Sequence, residues 1–226
     1  MKTNRSLAEL SRTINYKKVG RLKAGKPGPV KIKTVSVNKP KSKKRWDAII
    51  ARLPKDKEIF GAEIGVLNGN TAHRILKELP LLTHNMIDPW KPPTKSSDYY
   101  KTGDDNSRQT KEQFDKCYEK TKKLCAFAGK RAIYYRMKSE TAAAKFEDKS
   151  LDFVFIDGDH SYNGVKKDIE LWLPKIKSTG WIGGHDYDHP RLPGVKKAVD
   201  EMFPSDVVEF DVNRTWFVKL ENFYEG

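Results

Sequence analysis

The chain has 226 residues, of which 33% are charged, and a formal net charge of +14. That length accommodates one α/β domain with a full core plus an appendage, and such a charge usually points to an anionic partner. Its distribution excludes a basic catalytic surface: residues 1–45 hold 15 of the 44 Lys and Arg against one acid, Glu9, which leaves residues 46–226 with 29 of each sign.

Residues 1–45 read as a basic, flexible N-terminal arm. After a short capping-box signal from Ser6 to Glu9, the composition turns to Lys, Gly and Pro without periodicity. Two roles stay open for it: a solvated arm, or a contact to nucleic acid or another polyanion through Lys41 to Arg45. No apolar run approaches the roughly 20 residues of a membrane span, and the charged N-terminus lacks a signal-peptide core. A cytoplasmic protein that does not enter a membrane is expected.

Residues 46–226 read as one domain. Trp46 to Leu53 forms a short helix ended by Pro54. Glu58 to Val66 is a strand, followed by the turn Leu67, Asn68, Gly69, Asn70, Thr71 and a helix with Ala72, Ile75, Leu76 and Leu79 as its inner stripe. Leu81 to Ile87 is a second strand ending in Asp88. Residues 90–106 lack periodicity and are long for a connection, which suggests a lid with Trp90, Tyr99 and Tyr100 as its packing surface. Ser107 to Ala128 is a long helix with Phe114, Cys117, Tyr118, Thr121, Cys125 and Ala128 inward. Its two cysteines stand about 12 Å apart at 1.5 Å per residue, too far for a disulfide, so free thiols are expected.

Arg131 to Met137 is the third strand, and Lys138, Ser139 and Glu140 start a short helix. Leu151 to Ile156 is an apolar run suited to a strand covered on both faces, and Asp157, Gly158, Asp159 and His160 follow at once. A helix from Tyr162 to about Ile176 comes next, then a fifth strand from Gly180 to Tyr187 whose end carries His185 and Asp186. After a helix over residues 191–203, Val207 to Val212 and Thr215 to Leu220 form a hairpin around Asn213 and Arg214. The fold class is α/β: a doubly wound, Rossmann-like seven-stranded sheet with a terminal antiparallel β-hairpin. Ligands of such sheets sit beyond the carboxyl ends of the strands, where these acids and histidines gather.

The first strand carries E-x-G-x-x-x-G, from Glu63 to Gly69, in place of the G-x-G-x-x-G dinucleotide fingerprint, which counts against NAD. Asp88 lies where a carboxylate accepts the ribose hydroxyls of a nucleoside, although Asp88-Pro89 also suits a turn. Ser139 reads equally as an adenine-edge contact and as an N-cap. Two aspartates and two histidines at adjacent strand ends suit a divalent metal; capping of the following turns is the plainer alternative for the histidines.

With these elements in place, the chain resembles the class I S-adenosylmethionine-dependent methyltransferases over residues 46–221. Glu63, Gly65 and Gly69, with Asn68 between them, match the motif that holds the methionine part of the cofactor. Asp88 matches the ribose-binding acid, and Met137 to Glu140 match the adenine-facing loop, although Met137 stands where relatives often have glycine. The narrower resemblance is to the metal-dependent sugar O-methyltransferases of macrolide biosynthesis and the cephalosporin-hydroxylase-like group. Asp157, His160, His185 and Asp186 match their pattern, with His185 where the sugar enzymes carry an acid.

The resemblance implies S-adenosylmethionine as cofactor, bound by Glu63, Gly65, Asn68, Gly69, Asp88, Met137, Ser139 and Asp157. It further implies a divalent metal on Asp157, His185 and Asp186 and an acceptor hydroxyl on a small molecule or sugar. Carboxylates with open positions suit Mg²⁺, and an imidazole shifts preference toward Mn²⁺, Fe²⁺ or Zn²⁺. Asp157 and His160 are the expected catalytic pair, with the imidazole as general base because its unperturbed pKa of ~6.5 lies near working pH. The competing reading is a nucleic-acid or polyanion-binding protein, or an RNA ribose methyltransferase, working through the basic arm. The chain lacks both the Asn/Asp-Pro-Pro-Tyr motif of amino-methylating DNA enzymes and the Pro-Cys pair used against cytosine, which disfavours base methylation.

Overall fold

Strand β4 (Leu151–Ile156) lies at the centre of the sheet and is buried on both faces, as its apolar run predicts. The computed structural model describes residues 44–225, so the expected arm lies outside the described residues except for Lys44 and Arg45. The sheet has seven strands in the order β3-β2-β1-β4-β5-β7-β6. In chain order they are β1 (Ile59–Ile64), β2 (Leu82–Ile87), β3 (Ala132–Tyr135), β4, β5 (Ile176–Gly184), β6 (Val208–Asp211) and β7 (Thr215–Lys219). The first five are parallel, and β7 pairs antiparallel with both β5 and β6. The expected fold class is thereby observed, hairpin included.

Alternation along the strands divides the core. Phe153 and Phe155 of β4 pack with the apolar stripes of α1 (Arg45–Ile50), α2 (Asn70–Glu78) and α4 (Lys111–Cys125). Val154 and Ile156 pack with those of α6 (Tyr162–Trp172) and α7 (Pro193–Met202), the period-two pattern of a doubly covered strand. Register then positions the site. Ile64 stands opposite Ile156 and Ile156 opposite Gly184, so β1, β4 and β5 end level and their following loops adjoin. The ladder continues one step beyond them, with Asp157 N–H donating to the Ile64 carbonyl at 2.7 Å and His185 N–H to that of Ile156 at 3.1 Å.

Several boundaries differ from expectation for local reasons. The expected helix over 107–128 starts at Lys111, because Thr110 and Gln113 form a reciprocal capping box; 3-10 turns, Asp105–Arg108 and Ala126–Arg131, flank it. The helix from Tyr162 ends at Trp172 ahead of Pro174, and β5 starts at Ile176, which pairs with Leu151. A C-terminal helix α8 (Leu220–Glu225) follows β7 without a sequence signal that had marked it. Both cysteines are free, as expected. Among the described residues no helix is long and apolar enough to cross a membrane.

The segment between β2 and α4 is more structured than its composition suggests. It contains helix α3 (Asp98–Lys101), capped by the Ser97 hydroxyl, and the turn that Asp104 caps through the Asn106 N–H at 2.8 Å. Trp90 is core, not lid surface: it is fully buried, its ring lies 4.8 Å from that of Tyr118, and its indole N–H donates to the Leu67 carbonyl at 2.7 Å.

Candidate active site

The loops after β1, β4 and β5 enclose a cleft lined by Glu63, Gly65, Asn68, Asp157, His160, His185 and Asp186, together with Arg45, Asp104 and His189. Its floor requires two glycines. Gly65 has φ +85°, and a Cβ there would lie 2.2 Å from the Asp157 carbonyl oxygen, so the two strand ends approach this closely only without a side chain. Gly69 caps α2 with φ +73°, against Thr121. Both glycines are thus explained by packing of the chain against itself.

Asp157, His160 and Asp186 each bring one ligand atom within 4.8 Å of the other two. His160 Nε2 is 3.4 Å from Asp157 Oδ1 and 3.5 Å from Asp186 Oδ2. His185 Nδ1 is 3.5 Å from the same Asp157 oxygen and 3.1 Å from the same Asp186 oxygen. Two imidazoles therefore flank one carboxylate pair. Asp186 sits in the left-handed region at φ +60°, strain of a kind that gathers at functional positions.

Charge is balanced from an unexpected direction. The Arg45 guanidinium, from the first turn of α1, pairs with Asp157 Oδ2. Burial opposes ionisation of Asp157, but Arg45 and the two histidines hold it well below the usual carboxylate range. Asp186 is likewise lowered against its burial by His185 and His160. Burial disfavours the charged imidazoles too; hydrogen bonds to Asp104 and Asp157 outweigh it and lift His160 to about 10, and those to Asp157 and Asp186 raise His185.

The donor set fits a divalent ion: two carboxylates and an imidazole converge, and the pair already draws a guanidinium. Arg45 and Asp104 carried no motif in the sequence. Arg45 looked like the last charge of the arm, and Asp104 lay in the segment without periodicity.

The structure places the expected cofactor residues unequally: Glu63, Gly65, Asn68 and Asp157 line the cleft, whereas Gly69, Asp88, Met137 and Ser139 are not among its lining residues. Glu63 lines the cleft, almost fully buried, 3.3 Å from His84 Nε2. Burial and then the Asp157 charge push it well above the usual carboxylate range, partly offset by Arg45, and burial drops His84 to about 3. Asp88 is occupied by its own chain: one oxygen accepts the Val66 and Leu67 N–H groups at 3.0 and 2.9 Å, and the other accepts that of Trp90 at 2.6 Å. Met137 is half-buried against the core. Ser139 is the first residue of α5 (Ser139–Ala143), with Lys138 as its N-cap; its hydroxyl donates to Asp168 at 2.5 Å and accepts the Trp172 indole N–H at 2.8 Å.

The methyltransferase-domain family matches residues 62–187, more than half of the chain and the span from β1 past the end of β5. Among solved structures, the chain is similar to CalS11, a calicheamicin methyltransferase, at 15% identity over 78% of this chain and 77% of that one, with a TM-score of 0.60. The O-methyltransferase NovP matches at 17% identity over 76% and 74%, with a TM-score of 0.50. A protein from Corynebacterium glutamicum matches at 14% identity over 76% of each chain, with a TM-score of 0.53. At such identities the likeness is one of fold. No curated protein matches the chain.

Proposed function

The chain belongs to the methyltransferase-domain family and is an S-adenosylmethionine-dependent methyltransferase, and we propose that it methylates a hydroxyl of a small molecule or sugar with the help of a divalent ion. One observation carries the proposal: the Asp157–Asp186 pair, with an imidazole on either side, shares one cleft with Glu63 and the glycine turn. When bound, S-adenosylmethionine supplies the sulfonium methyl group, and the ion lowers the pKa of the acceptor hydroxyl and fixes its direction.

The chain's own residues do the rest. Glu63, a buried carboxyl whose ionisation burial and the Asp157 charge oppose, would offer the α-amino group of the cofactor a hydrogen-bond acceptor. As the resemblance implies, Gly65, Asn68 and Gly69 would border its methionine part, Asp88 its ribose, and Met137 and Ser139 its adenine. Asp157 and Asp186 would hold the ion, and Asp157 would also border the cofactor. Of the two imidazoles, one would complete the ligand set and the other would accept the proton of the acceptor hydroxyl. Mg²⁺ suits the carboxylates, and the imidazole favours Mn²⁺, Fe²⁺ or Zn²⁺.

Calorimetry with S-adenosylhomocysteine tests the cofactor part, and absence of binding sinks it. Transfer of labelled methyl to a panel of hydroxylated acceptors, with and without chelator, tests the rest; turnover at full rate after metal removal eliminates the ion. The 15 basic residues among the first 45 support a separate proposal, contact with a polyanion. Deleting residues 1–43 should abolish retention of RNA in a filter-binding assay, and unchanged retention refutes it.

A further inference from the structure

We infer that His160, rather than His185, completes the ligand set of Asp157 and Asp186, and that Asp104 is the positioning residue that aims it. This rests on the divalent-ion reading above and adds which imidazole has which task. His160 Nδ1 lies 2.5 Å from Asp104 Oδ2, and both side chains are buried. Asp104 is itself fixed. Its other oxygen accepts the Asn106 N–H at 2.8 Å, and its carbonyl accepts the Ser107 hydroxyl at 2.6 Å and the Ser107 N–H at 3.0 Å. A carboxylate on Nδ1 selects the tautomer with its proton there and leaves the Nε2 lone pair facing away from it.

That Nε2 faces Asp157 Oδ1 and Asp186 Oδ2 at 3.4 and 3.5 Å. Such separations are long for hydrogen bonds. They match the spacing of neighbouring ligand atoms around an ion that holds each at about 2.0–2.2 Å. A histidine with an outer carboxylate on one nitrogen and open space between two further carboxylates on the other has the arrangement by which proteins orient metal-binding imidazoles.

His185 lacks that arrangement. Its Nδ1 meets the same two carboxylates, but among the described residues no hydrogen-bond partner holds its Nε2. An imidazole without an outer acceptor turns more easily and is not aimed between the two carboxylates as His160 is. The ligand suggested by the sequence is thus exchanged: His160, in place of His185, joins Asp157 and Asp186. Asp104 also comes from the segment between β2 and α4, which is anchored a second time by Asn163 Nδ2 donating to Asp98 at 2.7 Å. The segment that contributes Gly103 to Asn106 to the cleft lining therefore carries the residue that orients the ligand.

The test uses the full chain freed of metal and titrated with Mn²⁺ alone, read by calorimetry and by pulsed electron paramagnetic resonance, which detects imidazole nitrogen coupled to the ion. The wild-type protein should bind Mn²⁺ with nitrogen coupling. His160→Gln should lose the coupling, and both His160→Gln and Asp104→Ala should raise the Kd by about ten- to a hundredfold. Asp104→Asn keeps an oxygen acceptor for Nδ1–H and should restore affinity to within severalfold of wild type, whereas His185→Gln should change neither readout appreciably. Coupling lost in His185→Gln and kept in His160→Gln overturns the assignment while leaving the divalent-ion reading intact. An unchanged Kd in Asp104→Ala overturns the role of Asp104. A wild-type protein that binds no Mn²⁺ overturns this inference together with the divalent-ion reading.

Discussion

Arg45 and Asp157 form an ion pair across the mouth of the cleft, the guanidinium on Oδ2 while both imidazoles face Oδ1. A fixed positive charge thus stands beside the proposed ion. Like charges a few ångströms apart repel even where water screens them. Arg45→Ala should therefore tighten Mn²⁺ binding by about three- to tenfold in calorimetry, at most about 1.4 kcal/mol. Weaker binding would mean that Arg45 organises Asp157 for the ion rather than competing with it.

Asp88 should matter to folding as well as to the cofactor. It satisfies three backbone N–H groups, and one of them belongs to Leu67, held at φ +50°. Asp88→Ala leaves all three without that acceptor beneath a buried tryptophan. We expect a loss of about 2–4 kcal/mol in urea unfolding of the cofactor-free protein. A residue that served ribose alone would leave that unfolding curve unchanged.

Gly65→Ala places a methyl group on the Asp157 carbonyl and forces φ +85° on an L-residue. Destabilisation of at least about 2 kcal/mol is expected by denaturant unfolding, with weaker Mn²⁺ binding because β1 and β4 must separate at the site. Wild-type stability in this variant would show that the two strand ends are not packed as described.

Asp168 gives a pH signature away from the cleft. Burial pushes it up to about 7 against the Ser139 hydrogen bond, from an ordinary 3.8. The native state therefore keeps a proton that the unfolded chain releases. The resulting stabilisation is complete below about pH 4 and is lost as the pH rises to about 7, amounting to a few kcal/mol in order of magnitude. Asp168→Asn, which stays neutral, should gain in melting temperature relative to wild type from pH 4 to about pH 7 and then hold a constant difference. A difference that does not vary with pH contradicts a protonated Asp168.

Much of this architecture is local in origin and so legible in the chain. Alternation and apolar runs identify the strands because burial on one face or two imposes its period on consecutive residues, and the polar ends of β4 and β5 marked Asp157, His160, His185 and Asp186 as neighbours in space. Boundaries at Thr110 and Pro174 differed because capping and proline geometry act on single residues within a longer periodic stretch. Trp90 was misplaced because an aromatic in a polar segment carries no sign of the pocket that receives it.

The sequence by itself determined the doubly wound sheet, the glycine turn and the residues gathered at its carboxyl edge. Only the tertiary structure decided that Asp104 meets His160 across 56 residues and Arg45 meets Asp157 across 112. Such pairs have no period and no spacing. They exist because strand register brings loop ends level and because a buried charge settles wherever the fold supplies its partner.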